Sequence, residues 1–280
     1  MSFLTKVFNF YIEASIHVAL SVYSLTVITL LNFGIPYDEN VCYVVFYGTI
    51  VGYNFIKYGS EARRFYVVKT RYVKSIQYFS FICFLLCGYY LLHLNAATFI
   101  VLAVLMVLSF FYAVPLSSSF RNIRNSPGIK IFIVALVWSG ATVVLPVVNN
   151  ADIMAFGEAS VQDVVLEWLQ RFLFVMVLTI PFEIRDMAVD NLSLGTIPQK
   201  IGIKNARKLG IYVLVVVFAL ELLKQNRLGT DAMTLLVVIV LLVLALIYSR
   251  VKQHRYYCSF WVEGIPVVWA VLLVLFKNWK

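Results

Sequence analysis

Phe172-Leu-Phe-Val-Met-Val-Leu-Thr-Ile-Pro-Phe182 runs without a charge straight into Glu183-Ile-Arg185-Asp186-Met-Ala-Val-Asp190, and Asn191-Leu-Ser-Leu-Gly195-Thr196-Ile-Pro198 follows. An apolar segment that ends in carboxylates decides the class of fold. As one helix it places Glu183, Asp186 and Asp190 at i, i+3 and i+7, so that all three acids share a face. Like charges stacked this way repel by roughly 0.2–0.5 kcal/mol per exposed pair, so a positive partner is expected. A hard divalent cation, which prefers carboxylate oxygens, is one candidate. Arg185 and Lys200, which flank the cluster, are the other. On a soluble helix end the second reading suffices, because exposed ion pairs count for little. At the mouth of a membrane bundle carboxylates are costly and tend to be functional.

Working outward, the composition supports the membrane setting. The chain of 280 residues is 62% hydrophobic and 13% charged, with a mean hydropathy of +0.88. Soluble domains run at roughly 45–50% apolar and 25% charged. Windows of about 17–25 apolar residues, long enough to cross a bilayer, fall at 8–31, 41–58, 76–93, 96–113, 130–148, 164–182, 209–223, 232–249 and 257–276, nine in all. Asn95 is the expected turn between the third and fourth. The fold class that follows is all-α, a polytopic membrane protein forming a single integral-membrane domain over 1–280. No cleavable signal peptide is expected, since Lys6 stands alone and Glu13 and His17 interrupt the first apolar run. Cys42, Cys83, Cys87 and Cys258 form no C-x-x-C pair and read as reduced packing residues.

The formal charge of +9 does not indicate nucleic acid, because it lies in short connections rather than in a basic arm. It is an orientation signal. With a cytoplasmic N-terminus, most of the 23 lysines and arginines fall on the cytoplasmic side, among them Lys57, Arg63, Arg64, Arg121, Lys130, Lys200 and Arg250. Asp38, Glu39, Asp152, Glu158 and Asp163 fall on the other, where Asn149 to Asp163 reads as a lid or solvated loop. Trp261, Trp269 and Trp279 suit interface anchoring. Spans two and six each end in polar residues before a long basic connection, a weak internal echo that places a shared cavity between them.

Several ordered stretches resemble one family. They are Arg185-Asp186-Met-Ala-Val-Asp190, Gly195-Thr196-Ile-Pro198-Gln-Lys200-Ile-Gly202, Phe111-Tyr112-Ala-Val-Pro115, Pro127-Gly128-Ile-Lys130, Ala135-Leu-Val-Trp138 and Leu145-Pro146. Over roughly residues 40–275 the chain resembles the UbiA-type intramembrane prenyltransferases. That resemblance implies nine helices around a central cavity open to the membrane. It implies transfer of a prenyl group from a polyprenyl diphosphate to a lipophilic or aromatic acceptor, with magnesium bridging the diphosphate to two Asp-rich motifs. On this resemblance Glu183, Asp186 and Asp190 are the expected metal ligands, and Asp186 and Asp190 the catalytic pair. Asn54, Lys57, Arg63, Arg64, Tyr112, Arg185 and Lys200 are the expected substrate-binding residues. The setting implied is a bacterial inner membrane, with the polar cluster cytoplasmic.

The departure from the family pattern lies in its first motif. Asn54 is kept, but Phe55, Tyr58 and Ala62 stand at the aspartate positions, and Lys57, Arg63 and Arg64 make this helix end positive. Two readings follow. In one, an atypical prenyltransferase, the cations take the charge role of a missing metal. In the other, a catalytically inactive UbiA-like protein that binds a lipid or partner protein, acidic and basic helix ends pair with each other. A secondary transporter is disfavoured, because no two spans are broken by Gly or Pro at matching positions. Asn54 is expected to face the cavity, Arg171 to meet an acid or carbonyl, and His17 to be a satisfied core histidine.

Overall fold

The computed structural model describes residues 3–64, 71–113, 128–152, 160–189, 195–224 and 229–278, the side chains of 59–64, 71, 112, 113 and 278 excepted. Asp190 and the Asn191–Leu194 segment, Pro115, and the greater part of the expected lid therefore lie outside it, as do the side chains of Arg63, Arg64 and Tyr112.

Every regular element among the described residues is a helix. Helix α1 is Phe3–Glu13 and α2 Ile16–Asn32, followed by α3 Glu39–Arg64, α4 Arg71–Leu91 and α5 Ala96–Ala113. One span is built from α6 (Lys130–Ser139), a π-helical turn (Gly140–Val144) and α7 (Leu145–Asn149). Then come α8 Val161–Asp186, α9 Ile197–Leu222 and α10 Thr230–Tyr248, and a second π-helical turn, Tyr257–Val262, leads into α11 Ile265–Asn278. Neighbours in space run α4, α3, α2, α11, α10, α9, α8, α6, α5, and the α6–α7 span also touches α2 and α3.

Four described helical stretches are long and apolar enough to cross a membrane: Lys130–Asn149, Val161–Asp186, Thr230–Tyr248 and Tyr257–Lys277. The bent pair α1–α2 makes a fifth if it counts as one span. The other expected windows coincide with α3, α4, α5 and α9, helices that fall short of that criterion among the described residues. The protein is an integral membrane protein, and its outer face fits that solvent. Phe81, Leu85, Ile100, Val104, Val215, Leu236, Val240 and Leu275 are exposed, an arrangement that lipid tolerates and water does not.

The inner face is held by small polar residues. Thr26 and Thr29 of α2 are buried and donate to the carbonyls of Val22 (3.1 Å) and Leu25 (3.2 Å). Their hydroxyls are satisfied within the helix, so neighbouring helices can approach closely. Asn95 makes the expected turn: its Oδ1 accepts from Thr98 N at 2.8 Å, and its Nδ2 donates to Val148 and Asn149 carbonyls, both at 3.1 Å. Trp269, expected at an interface, is 3% exposed in the core against Phe174. Trp261, at 68% exposure, faces outward as anchoring requires.

Candidate functional site

The site is assembled where four helices end or break. The first break is Ser15, between α1 and α2, which turn by 54°. Ser15 is buried, with a left-handed φ of 62°, a conformation that costs a non-glycine residue about 1–2 kcal/mol. Its hydroxyl donates to Asn54 Oδ1 (2.8 Å) and accepts from Lys57 Nζ (2.9 Å). Asn54 Nδ2 completes the clasp by donating to Ala14 O (3.0 Å) and Ser80 Oγ (2.8 Å). Asn54 therefore does not face the cavity as expected. Both its amide hydrogens and its oxygen are committed to holding α1, α2, α3 and α4 together, and Tyr53 beside it lines the cavity instead.

The cavity, ≈ 170 Å³, lies between α3, α6, α8 and the start of the last span. Its wall is apolar and aromatic: Ile131, Val134, Trp138, Val175, Leu178 and Phe182. The Trp138 indole donates to Tyr53 Oη at 3.0 Å, so two polar aromatic tips satisfy each other at the wall. Lys130, Glu183, Asp186 and Glu263 supply the charge.

Helix α8 ends at Asp186, and 187–189 form a turn. Glu183 and Asp186, both within α8, line the cavity together, and Asp190, the third acid of the expected face, lies outside the described residues. Glu183 is 3% exposed, and its Oε2 accepts from Ile197 N at 3.3 Å, tying the end of α8 to the start of α9. Asp186 Oδ1 accepts from Arg185 Nε at 2.8 Å, and Lys130 Nζ stands 3.8 Å from Oδ2. The Arg185 guanidinium lies 5.2 Å from the Phe182 ring centroid, within cation–π range. Among the described residues no three His, Cys, Asp or Glu side chains converge as a metal site.

The expected binding residues divide. Arg185 is at the cavity mouth with Asp186. Lys57 is tied to Ser15, yet it acts electrostatically on Glu263, as Arg185 does. Lys200 lies beside the Gly128 turn, where a Cβ on Gly128 would come 3.4 Å from its Nζ, and it does not line the cavity. Gly128 (φ +76°) and Gly195 (φ +50°) both adopt the left-handed conformation that suits glycine in such turns. Asp186 pairs with Lys130 and Arg185; of the basic helix end expected to meet the acids in an inactive bundle, Lys57 acts on Glu263, and the side chains of Arg63 and Arg64 lie outside the described residues.

Sequence reasoning missed Lys130, Tyr53 and Glu263 as site residues. Glu263 had a signal, being the lone acid between Tyr257 and Phe276, and ionisable residues inside a span are functional candidates by default. Lys130 ended the 127–130 stretch that carries the resemblance, but nothing in that stretch pointed to Asp186 as its partner. Arg171, by contrast, met both expected partners: Nη2 donates to Glu167 Oε1 and Nη1 to Leu25 O, each at 2.6 Å. His17 is satisfied by Tyr11 Oη (2.7 Å) and Phe260 O (2.9 Å).

No protein-family model and no curated protein sequence matches the chain. Solved structures do. The apo structure of a UbiA homologue from Aeropyrum pernix K1 superposes with a TM-score of 0.62 at 14% identity, over 92% of this chain and 97% of that one. A structure from work on digeranylgeranylglyceryl phosphate synthase in membranes gives 0.56 at 17% identity, over 98% of both chains. With both chains covered nearly end to end, the likeness is one of whole architecture, and the protein has the UbiA-type fold.

Proposed function

We propose that this chain is an atypical UbiA-type prenyltransferase, moving a prenyl group from a polyprenyl diphosphate to a lipophilic acceptor. One observation carries the reading: an apolar and aromatic cavity inside the bundle ends at Lys130, Arg185 and Asp186. An allylic diphosphate needs that juxtaposition. Its chain is apolar, its departing group is multiply anionic, and the cation left behind is stabilised by aromatic faces.

In this reading Ile131, Val134, Val175 and Leu178 hold the reacting end of the prenyl chain and exclude water. Trp138, Phe182 and Tyr53 face the carbon that becomes cationic. Lys130 and Arg185 turn from Asp186 towards the diphosphate, for which planar guanidinium and ammonium donors are suited. Magnesium fits the donor set. Lys57, Lys130 and Arg185 face Glu183, Asp186 and Glu263, so the described groups carry no excess positive charge for a diphosphate. Magnesium is typically held by one or two carboxylates together with substrate phosphate oxygens. Asp186 with Asp190 would hold it, Glu183 alongside, and the ion would supply charge on the leaving group.

The test is binding of geranylgeranyl diphosphate to the purified chain with and without magnesium. The D186N/D190N double variant keeps the shape and removes the charge, so affinity falls about tenfold or more, about 1.4 kcal/mol per tenfold. Chelating the metal from the unaltered chain reproduces that loss. Equal or tighter binding by the double variant, indifferent to magnesium, refutes the reading in favour of a UbiA-like protein that binds a lipid or partner without chemistry.

A further inference from the structure

We propose that the Glu263 carboxylate takes the proton of a phenolic or other hydroxyl acceptor, a role that rests on the prenyl-transfer reading above. Glu263 lines the same cavity as Asp186 but enters from the last span, at the junction of the π-helical turn and α11. Its backbone is fixed. The Ser21 hydroxyl donates to its carbonyl oxygen, its own N–H donates to Cys258 O at 3.0 Å, and His17 anchors the preceding Phe260 carbonyl at 2.9 Å. Its carboxylate is not fixed: among the described residues it makes no hydrogen bond and no ion pair. Every other cavity acid has such a partner, Ile197 for Glu183 and Arg185 for Asp186.

A carboxylate that faces an apolar cavity without a protein partner is costly unless a ligand completes it. The groups that act on it through space are Lys57 of α3, Arg185 of α8, Tyr11 of α1 and Cys258 of its own turn. None of them is a bonded neighbour of the carboxylate. Lys130 and Arg185 flank Asp186, the end suited to the diphosphate, which leaves Glu263 for the second substrate. Tyr53, Trp138 and Phe182 give the cavity that Glu263 lines an aromatic wall.

In the step so assigned, the acceptor O–H bond breaks and its proton passes to Glu263. The electron pair left on the acceptor oxygen forms the new bond to C1 of the prenyl group. The C1–O bond breaks with its pair leaving on the diphosphate. The protonated Glu263 then gives its proton to water once product departs.

The experiment uses the full chain in detergent with magnesium, geranylgeranyl diphosphate, and 4-hexylphenol or its methyl ether, 4-hexylanisole, as acceptor probes. In the Glu263→Gln variant, diphosphate affinity and unfolding temperature stay close to those of the unaltered chain. Turnover of the phenol falls about 100-fold or more, the usual range for loss of a general base. Glu263→Asp restores part of it, and the methyl ether reacts with neither protein. Phenol turnover by Glu263→Gln equal to that of the unaltered chain overturns the proposal. So does equal reaction of the methyl ether, or diphosphate binding with no phenol turnover at all. A chain that binds no prenyl diphosphate defeats the underlying prenyl-transfer reading instead, and the binding arm reports that separately.

Discussion

Arg171 and Asn54 show what a residue in an apolar stretch does and does not disclose. Both are polar groups in helices that are otherwise largely apolar, and each had to find a partner. For Arg171 the partner was legible, because Glu167 precedes it by one helical turn in the same sequence. For Asn54 it was not, since Ser15 and Ser80 belong to other helices and nothing in the local sequence points to them. Glu263 was the harder case, an acid whose significance lies in the bonds it does not make. The Arg171 cluster sits at the opposite end of α8 from Asp186. Glu167 Oε2 there accepts from Lys224 Nζ at 2.5 Å, and Lys224 also reaches Gln170 Oε1 and Glu221 Oε2, both at 2.7 Å. Arg171 is fully enclosed, 5.4 Å from the Trp269 ring. Such a network holds only while its charges balance. Glu167→Gln leaves Arg171 uncompensated, so the expected loss is about 3–5 kcal/mol of stability, read as a lower unfolding temperature in detergent. Adding Arg171→Met removes the stranded charge, and the double variant should lose less than the sum of the two single changes.

At the scale of the element, several helices at this end of the bundle depart from regularity close to a site residue. The α1–α2 break is set by Ser15, α8 stops at Asp186, Gly202 (φ +80°) kinks α9 one turn past its start, and π-helical turns precede Glu263 and follow Trp138. Such turns often mark functional positions, because one extra residue re-aims the side chains that follow. Hydropathy could place the apolar windows but not these breaks. Gly202 and Pro198 carried a turn signal, whereas a left-handed serine carries none. The Ser15 break gives a prediction with two opposed terms. Ser15→Ala keeps the left-handed strain and strands Asn54 Oδ1 and Lys57 Nζ. Ser15→Gly strands the same groups but relieves about 1–2 kcal/mol of backbone strain. Glycine should therefore be the milder change by about 1 kcal/mol. Equal unfolding temperatures for the two variants would show that the bend is held by the surrounding helices and not by this residue's backbone.

For the whole molecule, the same apolar periodicity that made the fold class legible left the depth of each span open. The windows at 130–148, 164–182, 232–249 and 257–276 became helices that meet the membrane criterion. The window at 209–223 belongs to a longer helix, Ile197–Leu222, whose first turns carry Gln199, Lys200 and Lys204. Charge in those turns blurs the count of spans without disturbing the order in which helices pack. The site followed the same division: Glu183, Arg185 and Asp186 were marked by sequence, while Glu263 and Lys130 were brought to them by packing, Lys130 from a helix start more than fifty residues away. Orientation is the remaining property of the whole chain, and it rests on charge alone. Lysine and arginine concentrate at the end of the bundle that holds Lys57, Lys130 and Arg185, and positively charged connections stay in the cytoplasm. Lys252 and Asp152 are exposed at opposite ends of this pattern. In a background with Cys42, Cys83, Cys87 and Cys258 replaced, a cysteine at Lys252 should be shielded in intact cells from a membrane-impermeant maleimide and react after lysis. A cysteine at Asp152 should react in intact cells. The reverse pattern would put the charged cavity mouth outside, away from any cytoplasmic supply of a prenyl diphosphate, and the proposed reaction would lose its substrate.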